Sequence, residues 1–477
     1  MFPISNLDLP DRRTYTVDYR DAETHLKTRY GETKEIDMDV GGRQGSRLTG
    51  RMFAKMMDLL AEEIIASGEG FKLTKDFIIG ILLWIDDVIS CVEGIENQKI
   101  MLERVAQFAK DHKLKWGVEK CKVMKLNSQE DTTEWDLGDQ KIQECKSYTY
   151  LGDKITSDGK NTENIASRKN KIHVSTISIN TIASSEALYK IETAVLLQLH
   201  EKINISSLIT NSESWTLLKG EKKGLDCAEV QCLKNMFSLP IHTPTPGIIY
   251  TLGTLYSSIR IDQRRLIYLH KILNRELTHW TRETLESLKK LNIGWYKGIQ
   301  QTLAEYNLPQ EFHHITSFST IEWKNKVKKS VEELNKNRLH EDCHTNVNGT
   351  MVRKSKTAHI IDRIENPSYQ RKPLGEILQL NKKETKTLII ARFRMLECGR
   401  NFKGTMKDTC DICGCVDDEE HRLNICKRFT NTNYRDDVDQ IKFDTIFSDN
   451  PDTLRLIINR IAKVWNVYTG NGSMHVT

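Results

Sequence analysis

Phe77-Ile78-Ile79-Gly80-Ile81-Leu82-Leu83-Trp84-Ile85-Asp86-Asp87-Val88-Ile89-Ser90-Cys91-Val92 is the stretch on which the fold reading turns. It is rich in Ile, Leu and Val, too short for a good helix, and interrupted by two adjacent carboxylates. That pattern predicts two strands joined by a tight acidic turn. Asp is a favoured turn residue, and most such pairs are solvated turns. At a hairpin tip, however, the pair can hold a divalent cation when a further carboxylate approaches from a neighbouring strand. Hard oxygen ligands suit Mg²⁺. Two metals held this way would align a 3′-hydroxyl and a triphosphate for in-line attack.

The flanks place this hairpin between helices. Met52, Phe53, Met56, Leu59, Leu60, Ile64 and Ile65 repeat with helical spacing, as do Ile100, Leu102, Val105, Phe108 and Ala109. Ahead of the first helix stands Gly41-Gly42-Arg43-Gln44-Gly45-Ser46. Its glycines let the backbone approach a ligand closely, Gln44 can hydrogen-bond a base edge or sugar, and Arg43 suits phosphate. Downstream, Leu114 to Met124 puts cations near the start of a strand, and a second strand-and-turn stretch runs from Tyr148 to Thr156.

The order of these elements resembles the palm of reverse transcriptases, specifically those of non-LTR (LINE-type) retrotransposons. The family's Gly-x-x-Gln-Gly stretch is matched by Gly41 to Gly45, and its aromatic-x-Asp-Asp box by Trp84-Ile85-Asp86-Asp87. Its lysine near the triphosphate corresponds to Lys120, and its primer-grip hairpin to Tyr150, Leu151 and Gly152. The resemblance implies Asp86 and Asp87 as catalytic Mg²⁺ ligands, with Arg43, Gln44, Gly45 and Lys120 contacting nucleotide or template. It continues through Glu213-Ser214-Trp215, Leu239-Pro240, Leu252-Gly253 and Arg260 to Leu273, which look like the helical thumb.

Departures accompany these matches: Trp84 and Ile85 replace smaller residues, Gly50 stands for proline and Gly117 for asparagine. The family's remaining metal-binding aspartate lies on a strand well upstream of the glutamine loop. Asp8, Asp11, Asp18 and Asp21 follow no convincing apolar strand. The expectation is a C-terminal portion of such a polymerase, inactive as written because that strand and the fingers are missing.

From about 160 to 390 the text is mainly helical, broken by Pro240, Pro244, Pro246 and Gly247. Arg260, Arg264 and Arg265 read as a solvated helix face rather than a nucleic-acid track. Basic runs occur at Lys324 to Lys329 and Arg353 to Lys356.

Cys410-x2-Cys413-x7-His421-x4-Cys426 then offers three thiolates and one imidazole. That set suits a closed tetrahedral Zn²⁺ site with no open position for catalysis. Gly414 permits the tight turn between sulfurs, Asp417 to Glu420 are expected to be exposed, and Cys415 is a rival ligand by composition. The spacing resembles the Cys-Cys-His-Cys element near the end of non-LTR retrotransposon proteins, with Arg392, Arg394 and Asn401 as its lead-in. The resemblance implies a grip on RNA or target DNA, making Lys403, Lys407, Arg422 and Lys427 candidate phosphate contacts.

The expected fold class is therefore α+β. It comprises a segment at 1–40 leading into a partial right-hand palm at 41–156, then a helical thumb at 157–275. A helical connector at 276–390, a zinc-binding element at 391–430 and a helical tail at 431–477 complete it. The expected function is that of an RNA-directed DNA polymerase fragment, with RNA template and DNA primer or target as partners. The alternative is a non-catalytic, zinc-dependent nucleic-acid-binding protein. A net charge of +5 over 477 residues permits a polyanion partner without demanding one. The longest apolar run is far short of the roughly 20 residues a bilayer requires, so no membrane partner is expected. No secretory signal is evident, which points to an intracellular chain with mostly reduced or metal-bound cysteines; the family implies the nucleus.

Overall fold

The computed structural model describes residues 23–24, 27–28, 31–32, 36–37, 47–126, 133–183, 191–347, 350–354, 357–366, 379–401, 406–427, 442–448 and 450–469. The architecture is α+β, mostly helical with small two- and three-stranded sheets. Two compact units divide it: residues 1–123 with 130–144, and 124–129 with 145–477. No described helix is long and apolar enough to cross a membrane.

In the first unit, helices Arg47–Ser67 and Ile95–Asp111 enclose a core with three short strands, Lys122–Val123, Trp135–Leu137 and Gln140–Glu144. The first helix buries Met56, Met57, Leu60 and Ile64, a stripe at i, i+1, i+4 and i+8. Leu59 and Ile65, which the spacing also admits, face outward. On the second helix Met101 occupies the core, and Ile100 points the other way.

The apolar stretch beginning at Phe77 is two strands rather than one before its acidic turn. Phe77–Ile79 pairs antiparallel with Phe71–Thr74, and Ile81–Trp84 pairs with Asp87–Ser90. Gly80 makes the break, because a Cβ there would sit 2.7 Å from both the Glu69 carbonyl oxygen and Ile64 Cγ2. Ile81, Leu83 and Val88 pack against the unit's core. Alternation along a strand puts Leu82, Trp84, Asp87 and Ile89 on the opposite face.

The second unit opens with the hairpin Ser147–Tyr150/Asp153–Thr156, which the sequence grouped with the preceding strands. Helices Thr162–Ala183, Lys219–Met236, Ser257–Leu273 and Thr320–Asp342 follow. Helix Lys219–Met236 ends before Pro240, and Thr245–Leu252 begins beyond it with Pro246 in its first turn, where a missing N–H costs nothing. One continuous core joins Leu233, Met236, Leu266, Leu269, Trp323 and Val327 to Leu388, Leu423, Cys426, Ile457 and Trp465. The cysteine-rich segment and helix Pro451–Thr469 thus share a core with the helical middle.

Arg264 of the Arg260 series is solvated, Arg260 is half-buried and Arg265 is buried, and all three have carboxylate partners. Arg260 forks onto Glu201 at 2.6 and 3.0 Å, Arg264 meets Glu213 at 3.0 Å, and buried Arg265 pairs with Asp262 at 3.3 Å. The solvated-face reading holds for Arg264 and is corrected for Arg265, which is buried against Asp262.

Candidate functional site

The acidic pair sits at the hairpin tip. Trp84 pairs with Asp87, so Ile85 and Asp86 form a two-residue turn. Such a turn needs a positive φ at its first central position, normally supplied by glycine. Here Ile85 takes φ 56°. A β-branched residue held in the left-handed region is strained, a condition that clusters at functional sites. Trp84 and Ile85 are 61% and 48% exposed, and both aspartates are exposed beside them. Among the described residues no third His, Cys, Asp or Glu joins this pair in a metal-binding group.

Of the other sequence-derived polymerase residues, Arg43, Gln44 and Gly45 lie outside the described residues. Lys120 is exposed in the turn before strand Lys122–Val123, its N–H donating to the Gly117 carbonyl at 2.8 Å.

Tyr150, Leu151 and Gly152 belong to the second unit, and their two-residue turn differs from the first in having a positive φ at both central positions. Tyr150 pairs with Asp153, leaving Leu151 and Gly152 at the tip with φ 46° and 87°. This tip is firmly held. Asn211 Nδ2 donates to the Leu151 carbonyl at 2.9 Å, and Arg168 Nη2 donates to that of Gly152 at 3.0 Å. Arg168 also meets Asp153 at 2.7 Å, while Asn164 Nδ2 and Trp215 Nε1 donate to the same carboxylate at 3.1 and 3.4 Å. Arg168 is a candidate functional residue the sequence does not reveal, its only signal being a charge among apolar helical positions.

The metal-type centre is the best defined site. Cys410, Cys413, His421 and Cys426 bring one ligand atom each within 4.8 Å of one another. Two local devices achieve this. Gly414, at φ 72°, lets its N–H reach the Cys410 carbonyl at 2.8 Å and folds the two sulfurs together. A π-helical turn over His421–Ile425 then closes with Cys426 N–H donating to the His421 carbonyl at 2.8 Å. That turn starts where Asp418 Oδ1 accepts from His421 N–H at 2.8 Å.

The donors fit zinc. Sulfurs of Cys410 and Cys426 stand 3.9 Å apart. A disulfide requires about 2.05 Å, whereas two thiolates on one tetrahedral zinc stand about 3.8 Å apart. Lys427 N–H donates to Cys413 Sγ at 3.2 Å. Burial pushes the Cys410 thiol up. The N–H groups of Ile412 and Cys413 and the His421 side chain outweigh it and bring that thiol down to about 7. With three sulfurs and a nitrogen, the metal would be structural, leaving no vacant position for a substrate.

The acidic run between the ligands is exposed only in part: Glu420 faces solvent and Asp418 is half-buried. Asp417 and Glu419 are buried. Asp417 forks onto Arg422 at 2.7 and 2.6 Å and accepts the Gly399 N–H at 2.8 Å. Asn401 Nδ2 donates to Glu419 at 2.7 Å. Arg422 also donates to the Glu397 carbonyl and lies over the Trp465 ring at 5.8 Å. It is therefore a buried strut, and its assignment as a phosphate contact is corrected. Arg392 is likewise buried, donating to the Ile446 carbonyl at 2.8 Å. Lys407, Lys427 and Arg394 remain exposed; Lys403 lies outside the described residues.

No family model matches this chain, and no curated protein matches it.

Proposed function

We propose that this chain is a nucleic-acid-handling protein of the non-LTR reverse-transcriptase type, with a partial palm, a helical thumb and a zinc element. The observation that carries this reading is the hairpin Ile81–Trp84/Asp87–Ser90. It presents adjacent carboxylates at a strained tip, and its other face packs into the core that helix Arg47–Ser67 helps to build. In a palm of this kind Asp86 and Asp87 would bind Mg²⁺, Lys120 would face the triphosphate, and Leu151 and Gly152 would lie along the primer. The firm anchoring of that second tip by Arg168 and Asn211 supports the last role, since positioning a primer needs a rigid edge.

Among the described residues the pair has no third partner, and two carboxylates alone bind two metals weakly. Each loss of about 1.4 kcal/mol in transition-state stabilisation slows the reaction tenfold. Primer extension on an RNA template with Mg²⁺ is expected to be weak or absent. Whatever extension occurs should vanish in the double variant Asp86→Asn with Asp87→Asn. Extension that persists in that variant places the reacting metals elsewhere and removes the assignment.

The zinc quartet favours a second, non-catalytic reading, in which a metal-structured element flanked by Lys407 and Lys427 grips phosphate backbone. Both readings share a polyanion partner and differ only in whether the acidic hairpin performs chemistry.

A further inference from the structure

The quartet leaves out Cys415, although that residue stands two positions beyond Cys413. Its Sγ lies 3.0 Å from His421 Nδ1 and 3.9 Å from Nε2. Its backbone belongs to the same knuckle as the ligands: the Cys415 carbonyl accepts from Cys410 N–H at 2.8 Å, and Val416 bridges antiparallel to Thr409. The side chain itself is exposed, so no close packing fixes its rotamer. Rotation about χ1 carries a cysteine sulfur through about 3 Å. That reach is comparable to the separation between a sulfur touching the imidazole and a metal about 2 Å beyond the ring nitrogen.

We propose that Cys415 is a reserve metal ligand: when the His421 imidazole leaves the coordination sphere, the Cys415 thiolate takes the fourth position. The site then passes from three sulfurs and one nitrogen to four sulfurs. In the exchange the metal–nitrogen bond breaks and the neutral imidazole leaves. The Cys415 thiol gives its proton to water, and its sulfur forms the new bond. Zinc accepts either set, having no d-electron preference between them. The inference rests on the zinc reading of the quartet and is independent of the polymerase reading.

The test uses the full chain with Co²⁺ as the metal probe, reading stoichiometry, affinity and the thiolate-to-cobalt charge-transfer band. The unsubstituted chain and Cys415→Ser should each bind one metal with the same band. His421→Ala should still bind one metal, with the band stronger by about a third as a fourth thiolate joins. The double variant His421→Ala with Cys415→Ser should bind at least about tenfold more weakly than His421→Ala alone. Equal affinity of the single and double variants overturns the proposal. So does a His421→Ala chain whose band does not strengthen, or one that fails to fold where Cys415→Ser folds. If the unsubstituted chain takes up no metal, the zinc reading falls with it.

Discussion

Chelating the metal, or replacing Cys426 with Ser, is expected to melt the C-terminal part of the second unit rather than merely a surface loop. The reason lies in where the ligands sit. Cys426 and Leu423 belong to the core that also contains Leu388, Ile389, Ile457, Ile461 and Trp465. Without the metal, three thiol groups and a ring nitrogen lose their common partner. The π-turn then holds them together only through its own hydrogen bonds. Structural zinc in small elements contributes about 10 kcal/mol or more of binding free energy, much of which appears as folding free energy. Even a fraction of that would lower Tm by about 5 °C or more in a unit of this size. Thermal unfolding followed by circular dichroism, with and without a strong chelator, reads the effect. An unchanged transition would mean that the quartet carries no metal or that the core stands without it.

Arg422→Ala carries the second large effect. It strands the Asp417 carboxylate, buried and partnered by a forked guanidinium, and removes a cation from the Trp465 face. Burial pushes the Asp417 carboxyl up, yet Arg422 and the Gly399 N–H hold it below its ordinary value, so it is charged at neutral pH. Breaking a buried pair from one side costs about 3–5 kcal/mol, because the remaining charge has lost its compensation. Asp417→Asn together with Arg422→Met, which removes both charges and keeps the volume, should recover most of that loss. Urea unfolding of the single and double variants checks both statements. A single variant within about 0.5 kcal/mol of the unsubstituted chain would show the pair to be incidental.

These two sites mark where sequence reading succeeds and where it fails. The quartet was legible because ligand chemistry demands particular residues at particular spacings, whatever surrounds them. The acidic turn was legible too, since Trp84-Ile85-Asp86-Asp87 interrupts an apolar run with charges a strand interior cannot hold. The Asp417–Arg422 pair was not. A run of four acids reads as solvent-facing, and nothing local reveals an arginine and a tryptophan folded over it. Arg260 is hidden in a similar way, because its partner Glu201 lies on a different element. Periodicity also leaves a one-residue ambiguity at helix edges, as the exchange of Ile100 for Met101 shows. Gly80 sits inside an apolar stretch, where glycine often marks close backbone approach.

The most direct test of the proposed function is the affinity of the zinc-loaded chain for a fluorescent RNA–DNA primer–template, followed by anisotropy across a salt titration. Phosphate contacts release counterions, so log affinity should fall linearly with log salt, by about 0.7–0.9 for each phosphate neutralised. The expected result is measurable binding with a slope equivalent to several phosphates, weakened when the metal is removed. Absence of binding at low salt, or binding indifferent to both salt and metal, would contradict it.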